Sequence, residues 1–294
     1  MKLLKRYSLL GEKFVPEEIL VRDALRVNTL KIREEELVER LKAKKVGLEK
    51  IPFAKHGYYY EAPFSLGATP EYLQGFFYLQ DAASQLPVQV LNPEPGELVL
   101  DMAASPGGKT TQIAQWMENK GVIIALDSNA LRLDALLNNI ERLSVKNVLS
   151  YKKDSRFADD LNLFFDKILL DAPCSGNFCV EKDFFAKRSV EDFKDKARVQ
   201  RDLLKAAFKC LKPGGVLVYS TCSLEPEENE LVINWFLENF SVSMASTSLN
   251  VGDSGLTNIF GVKLNSSLKL ARRFWPHKTG TEGFFIAKLI KGKD

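Results

Sequence analysis

Two cysteines, each just past an apolar run, carry the most chemistry in this sequence. Cys174 lies in Asp171-Ala172-Pro173-Cys174-Ser175-Gly176, after Lys167-Ile168-Leu169-Leu170. Cys222 lies in Ser220-Thr221-Cys222-Ser223-Leu224, after Val216-Leu217-Val218-Tyr219. Upstream stands a glycine-rich turn, Ala103-Ala104-Ser105-Pro106-Gly107-Gly108-Lys109. A thiolate is a strong nucleophile whose reactivity is set by its surroundings. A cofactor loop and two thiols at one sheet edge imply covalent chemistry on a substrate held beside that cofactor.

Positioning them requires an alternation of strands and helices, and the pattern supplies one. Strands are expected at Leu98–Met102, Val122–Leu126, Val148–Tyr151, Lys167–Leu170 and Val216–Tyr219, with Gly283–Leu289 closing the series. Between them, helices are expected from Thr110, over Ala130–Leu143, Val190–Leu211 and Glu227–Glu238. This predicts an α/β fold with a mostly parallel, doubly wound, Rossmann-like sheet. Ahead of it, Arg26–Lys31 and Tyr58–Tyr60 read as strands and Glu34–Lys45 as a helix. The Pro- and Gly-containing stretch Ala62–Pro70 reads as a linker, and residues 71–91 as helical. The expected division is an N-terminal α+β unit with its linker, residues 1–70, and a catalytic domain, residues 71–294.

In doubly wound sheets the ligand sits outside the carboxyl ends of the strands, near the switch point. The Pro-Gly-Gly turn lies there and opens a helix, so its backbone can approach a ligand closely. Its spacing fits neither the phosphate-binding loop nor the G-x-G-x-x-G fingerprint. Asp127 ends the second strand, where a carboxylate accepts hydrogen bonds from ribose hydroxyls. Asp154 follows the third strand, within reach of an adenine amino group. Each aspartate alone could be a helix cap, but the ordered set favours a nucleoside-containing cofactor.

Cys210 reads as a buried small hydrophobe and Cys179 as structural or incidental. His56 and His277 lie far from the cysteines and no C-x-x-C pair occurs, which argues against a metal site. The chain has 294 residues, 45% hydrophobic and 27% charged, ordinary for a globular protein, and a net charge of +3 that permits nucleic-acid binding without requiring it. Four cysteines make no disulfide framework and suit a reducing cytoplasm. No apolar run reaches the roughly 18 residues of a membrane span, and no secretory signal is read. A monomer is favoured.

Pro106-Gly107-Gly108-Lys109, Asp171-Ala172-Pro173-Cys174-Ser175-Gly176 and the run from Ser220 to Glu230, Ser-Thr-Cys-Ser-Leu-Glu-Pro-Glu-Glu-Asn-Glu, together resemble the NOL1/NOP2/Sun family. Arg26–Lys31, Gly67–Tyr72, Tyr78–Asp81, Arg273–His277 and Gly283–Ala287 extend the resemblance over nearly the whole chain. The compact chain looks most like the family's archaeal tRNA methyltransferases. Ala103 departs from the cysteine many members carry in the cofactor loop.

The resemblance implies S-adenosylmethionine-dependent methylation of cytosine C5 in RNA. It assigns the attacking thiol to Cys222, which adds to C6, and gives Cys174 a role in product release. It places Asp171 against the cytosine near N3 and its amino group. Ala103, Ala104, Ser105, Pro106, Gly107, Gly108, Lys109, Asp127, Arg132, Asp154 and Asp171 match cofactor-contacting positions. Two basic clusters read equally as RNA contacts or as solvated charged faces: Lys187, Arg188, Lys194, Lys196, Arg198 and Arg201, and Arg272, Arg273, His277 and Lys278. Competing readings are an rRNA substrate, a catalytically silent RNA-binding assembly factor, and a DNA cytosine methyltransferase with Cys174 as the attacking thiol. The last leaves the motif around Cys222 unexplained.

Overall fold

The computed structural model of the protein describes residues 2–181 and 183–293. Four strands form a small antiparallel sheet: β1 (Ala24–Val27), β2 (Gly47–Lys50), β3 (Gly57–Glu61) and β4 (Phe77–Leu79), in the order β2-β3-β1-β4. The large sheet contains β5 (Leu98–Asp101), β6 (Val122–Asp127), β7 (Val148–Lys152), β8 (Phe165–Asp171), β9 (Leu211–Thr221), β10 (Val242–Ala245) and β11 (Asp253–Ser254). A two-stranded ribbon follows, β12 (Asn258–Ile259) with β13 (Val262–Lys263). Then β14 (Arg272–Phe274) and β15 (Phe284–Lys291) rejoin the large sheet.

The spatial order is β7-β6-β5-β8-β9-β15-β14-β11, with β10 also pairing β15. Strands β5 to β9 are parallel, and β15 enters antiparallel to β9. The fold is therefore the expected Rossmann-like α/β sheet, mixed at one side. The chain changes direction across the sheet between β5 and β8. That switch point places the ends of β5, β6, β8 and β9 around one crevice.

Both faces of the central strands are covered, so they read as unbroken apolar runs. Val99, Leu100, Ile123, Ala125, Leu126, Ile168, Leu169 and Leu170 are essentially inaccessible. Each large aliphatic among them contributes about 1.5–3 kcal/mol through burial. The helix Val190–Cys210 starts at a capping box, in which the Ser189 side chain accepts the Asp192 N–H and Asp192 accepts the Ser189 N–H. Its buried face carries Phe193, Ala197, Gln200, Leu204, Ala207 and Cys210, at helical spacing. It ends before Pro213-Gly214-Gly215, where Gly214 has φ +74°.

The stretch 71–91 is not one helix. It is divided into a short helix Pro70–Leu73, strand β4, and a second helix Leu86–Leu91. Gly75 is the cause. Its φ is +73°, and a Cβ there would fall 1.9 Å from the Arg142 carbonyl oxygen. The chain must leave the helix and turn onto β1, so the small sheet continues past residue 70.

Strand β1 also fastens the small sheet to the large one. The Arg26 guanidinium, 1% exposed, donates to Gln80 Oε1 (2.6 Å), the Gly108 carbonyl (2.7 Å) and Thr111 Oγ1 (3.0 Å). Burial pulls its pKa down to about 9. Asn28 donates to the Gly75 and Leu143 carbonyls, both at 2.9 Å. At the other edge, the helix Lys2–Leu9 lies on the loop after Cys222. There Tyr7 Oη donates to Glu225 Oε1 at 2.6 Å and Arg6 Nη2 to Glu227 Oε1 at 2.5 Å. No helix of the described residues is long and apolar enough to cross a membrane.

Candidate active site

The two thiols meet. Cys174 leaves the end of β8 and Cys222 the end of β9, neighbours in the sheet, and their sulfurs are 2.8 Å apart. Both are half-buried and neither is in a disulfide. The Cys174 thiol is pushed well up, first by its hydrogen bond to Cys222, then by burial and by the charges of Cys222 and Glu228. The other two cysteines are held protonated by burial. Cys179 is raised to about 12 and Cys210, on the core face of its helix, to about 11.

Beside the thiols, Asp171 accepts Lys109 Nζ on Oδ2 (2.6 Å) and Ser220 Oγ on Oδ1 (2.7 Å). Burial pulls the Lys109 ammonium down. Asp171, with Cys222 and Asp101, more than offsets this and leaves its pKa above the ordinary value. Asp101, beneath the turn, accepts Thr110 Oγ1 at 2.7 Å, and burial raises its pKa to about 6.

The glycine-rich turn is shaped by Gly107, which has φ +106° and caps the helix Gly108–Trp116. A Cβ there would sit 3.0 Å from Leu136 Cδ1. Asn129 caps the next helix by accepting the Leu131 and Arg132 N–H groups. Arg132 Nη2 then reaches back to the Ser105 carbonyl at 2.7 Å and lies 3.8 Å from Asp127 Oδ2.

Two cavities flank the turn and share Ala103. One, of about 230 Å³, is bounded by Met102, Ala103, Asp127, Arg132, Asp154, Pro173 and Leu203 among others. Asp127 is 5% exposed and uses Oδ1 to accept the Asn129 N–H. Asp154 caps the turn Ser155–Leu161 and pairs with Arg156. The other, of about 250 Å³, is bounded by Ala103–Pro106, Gly108, Lys109, Asp171, Asp81 and Glu282 among others. Ser105 Oγ is buried without a protein partner among the described residues.

This donor set fits S-adenosylmethionine. One cavity offers the Asp127 and Asp154 carboxylates, acceptors of the kind a nucleoside's hydroxyl and amino groups require. A close backbone turn lies between the cavities. The second cavity offers charged and polar groups, Lys109, Asp171, Asp81 and Glu282, of the kind an amino-acid moiety requires. All the expected cofactor positions converge on these two cavities or on the turn between them. Cys174 and Cys222 do not themselves bound either cavity. Asp171 and Pro173 do.

The basic clusters are a different matter. Arg273 is wholly buried, donates to both carboxylate oxygens of Glu230 at 2.6 and 2.7 Å and to the Leu224 carbonyl at 2.8 Å. It is a core residue and not an RNA contact. His277 and Lys278 face Glu12. Arg198 pairs with Asp195 and Glu191, and Arg188 with Glu181. Arg201 lies over the Trp235 ring at 5.3 Å.

Sequence reasoning did not single out Glu228 or Asn177, which bind across the two thiol loops, or Asp81 and Glu282 in the second cavity. Burial, with Asp81 beside it, raises the Glu282 carboxyl to about 7. The signal for Glu228 was the density of acidic residues in 225–230, squeezed between an apolar strand and an apolar helix. Glu225, Glu228 and Glu230 are all buried.

The chain is similar to known proteins along nearly its whole length. A family model described as 16S rRNA methyltransferase RsmB/F matches residues 88–290. One described as the N-terminal domain of 16S rRNA methyltransferase RsmF matches residues 14–82. The 25S rRNA (cytosine-C(5))-methyltransferase nop2 of Schizosaccharomyces pombe is 43% identical over 92% of this chain, which spans 46% of that protein. The chain spans still less, 34–42%, of the corresponding mouse, human and Caenorhabditis elegans proteins. The tRNA (cytosine(49)-C(5))-methyltransferase of Pyrococcus abyssi is 38% identical over 99% of this chain and 96% of its own length. A methyltransferase homolog from Pyrococcus horikoshii superposes with a TM-score of 0.86 at 47% identity, covering 94% of this chain and 88% of that one. NSun6 from Pyrococcus horikoshii, solved with SFG, gives 0.84 at 31% identity, covering 95% and 93%.

Proposed function

This chain belongs to the NOL1/NOP2/Sun family of S-adenosylmethionine-dependent RNA (cytosine-C5)-methyltransferases, and from that premise we propose that it methylates C5 of a cytosine in tRNA through a covalent bond between Cys222 and C6. The observation that carries the reading is the 2.8 Å contact of the two thiols beside the Asp171–Lys109 pair.

Cytosine C5 is too weak a nucleophile to take a methyl group unaided. Addition of the Cys222 thiolate to C6 breaks the C5–C6 double bond and moves an electron pair toward C5. Asp171, held by Lys109 and Ser220, accepts a hydrogen bond from the amino group of the base, beside N3, as charge redistributes. Asp127 and Asp154 hold the cofactor's ribose and adenine, and the 103–109 turn accommodates the remainder. When bound, S-adenosylmethionine supplies the electrophilic methyl group. Release requires loss of the C5 proton to water. The double bond then re-forms and Cys222 leaves as a thiolate. Cys174, kept as a thiol, donates its hydrogen bond to that leaving sulfur. The small N-terminal unit contributes to RNA binding. The base must leave its stack to reach the crevice.

The near-complete length match to the Pyrococcus abyssi enzyme supports tRNA. The rRNA reading is favoured by the family description and by the higher identity to nop2. A panel of labelled tRNA and rRNA decides between them. The chemistry is tested on denaturing gels. Cys222→Ala should neither methylate nor form an adduct, whereas Cys174→Ala should accumulate a denaturation-resistant protein–RNA complex. An adduct from Cys222→Ala overturns the assignment of the attacking thiol. Absence of any adduct from Cys174→Ala overturns the release role.

A further inference from the structure

The second cavity carries an unbalanced charge. Lys109 is committed to Asp171 at 2.6 Å, so that pair is neutral. Asp81 and Glu282 bound the same cavity, and neither has an ion-pair partner among the described residues. Asp81 accepts backbone N–H groups alone: Ala83 at 2.8 Å and Ser84 at 3.3 Å on Oδ1, and Glu282 at 3.2 Å on Oδ2. The last bond joins positions 201 apart in sequence and sets Glu282 beside Asp81. The Glu282 carboxylate receives no hydrogen bond from the described residues. Both acids are half-buried, and partly desolvated carboxylates without a donor call for one from a ligand.

The turn on the same cavity has the opposite character. The helix Gly108–Trp116 starts at Gly107 with no side chain capping it, so its first N–H groups suit an anion. Gly108 packs against Tyr78, where a Cβ would lie 3.1 Å from the ring. Arg26 bridges Gln80 Oε1 and the Gly108 carbonyl at 2.6 and 2.7 Å, so residue 81 and the helix start are held in one frame. Ser105, 5% exposed, also bounds the cavity, and its Oγ has no protein partner. Amide donors and two carboxylates on one cavity match a zwitterion. We propose that Glu282 binds the α-ammonium of S-adenosylmethionine, that Asp81 positions Glu282 for it, and that the helix start takes the α-carboxylate. A phosphate does not suit this end of the cavity, because the two acids repel it. The same pair therefore discriminates against a nucleotide such as ATP, which is anionic where the cofactor carries its ammonium. The proposal rests on S-adenosylmethionine occupying the two cavities. It does not depend on which thiol attacks or which RNA is methylated.

Calorimetry without RNA tests it, comparing S-adenosylhomocysteine with its deamino analogue, which keeps the carboxylate and lacks the ammonium. The parent protein should bind the first about 5- to 30-fold tighter, the range of a charge-assisted hydrogen bond in a half-buried site. Glu282→Gln should lose most of that difference by weakening S-adenosylhomocysteine, with the deamino analogue changed less than about twofold. Asp81→Asn, whose amide nitrogen cannot accept the Glu282 N–H, should show the same selective loss. Without ligand, Glu282→Gln should melt no lower than the parent, since the carboxylate it removes has no partner in the protein. A merely structural role would lower the melting temperature. Equal affinity of the parent for the two ligands overturns the proposal, and that comparison needs no variant to fold. So does a Glu282→Gln protein that binds S-adenosylhomocysteine as the parent does, or that loses both ligands alike. Asp127→Ala separates this outcome from the cofactor reading itself. It should weaken both ligands together, and if it weakens neither, the placement of the cofactor fails rather than the role of Glu282 alone.

Discussion

Arg273→Met should destabilise the protein by about 3–5 kcal/mol, the usual cost of leaving one partner of a buried ion pair behind. Arg273 and Glu230 are both inaccessible, and their two bonds are 2.6 and 2.7 Å long. At an effective dielectric of ~20, charges that close attract by about 6 kcal/mol, much of which offsets their desolvation. Removing the arginine forfeits the attraction but leaves the Glu230 carboxylate desolvated, with the Leu256 N–H as its remaining donor at 3.1 Å. The Leu224 carbonyl loses its donor too, two residues from Cys222. Urea denaturation of Arg273→Met, Glu230→Leu and the double variant would measure the coupling. The double variant should recover much of the loss, because no buried charge is then unpaired. A change under about 1 kcal/mol for Arg273→Met, together with weaker RNA binding at unchanged stability, would refute this reasoning and restore Arg273 as an RNA contact.

Asp127→Ala should weaken S-adenosylmethionine binding by about 1–3 kcal/mol in calorimetry, through hydroxyl groups left without an acceptor. Gly107→Ala should cost about 1–3 kcal/mol of stability, since φ +106° is strained for alanine and its methyl meets Leu136, and thermal melting reads it. Glu225→Gln should flatten the pH dependence of stability between about pH 4.5 and 7. The Glu225 carboxyl is raised from 4.5 to about 7, chiefly by burial, so its contribution is full below pH 4.5 and lost as pH rises through 7. The shift corresponds to about 3 kcal/mol, so the variant should gain roughly that much relative to the parent between pH 4 and pH 8 in urea titrations.

Sequence periodicity was sufficient for the central strands β5, β6, β8 and β9 because they are buried on both faces and read as unbroken runs such as Ile168-Leu169-Leu170, whereas the short outer strands β10, β11 and β14 carry no such run. The thiol loops and the Pro-Gly-Gly turn were legible for the same reason: they follow directly from those runs. Strand β2 was not, because its residues are exposed or half-exposed, Gly47-Leu48-Glu49-Lys50, and its pattern is weak. Strand β4 was masked by helix-forming neighbours, and only the contact of Gly75 with Arg142 reveals the turn. Charge was the least legible property. Arg273 and Arg198 look alike in sequence, yet one is sealed against Glu230 and the other lies on the surface with Asp195. The bonds of Glu228 and Asn177 span 53 and 45 residues, beyond any local signal.

The helix Lys2–Leu9 has its ionic and hydrogen-bonding side-chain partners more than 200 residues away: Tyr7 and Glu225 are separated by 218 positions. During synthesis at roughly 5–20 residues per second, this helix waits on the order of 10–40 s before its dock exists. Throughout that interval the Tyr7 hydroxyl lacks its Glu225 acceptor and the Tyr7 ring lacks Trp275. This helix is therefore among the last elements to complete its contacts. A ribosome-bound chain halted short of β9 would carry a complete cofactor turn, an unfinished thiol pair and a helix Lys2–Leu9 without its glutamate partners.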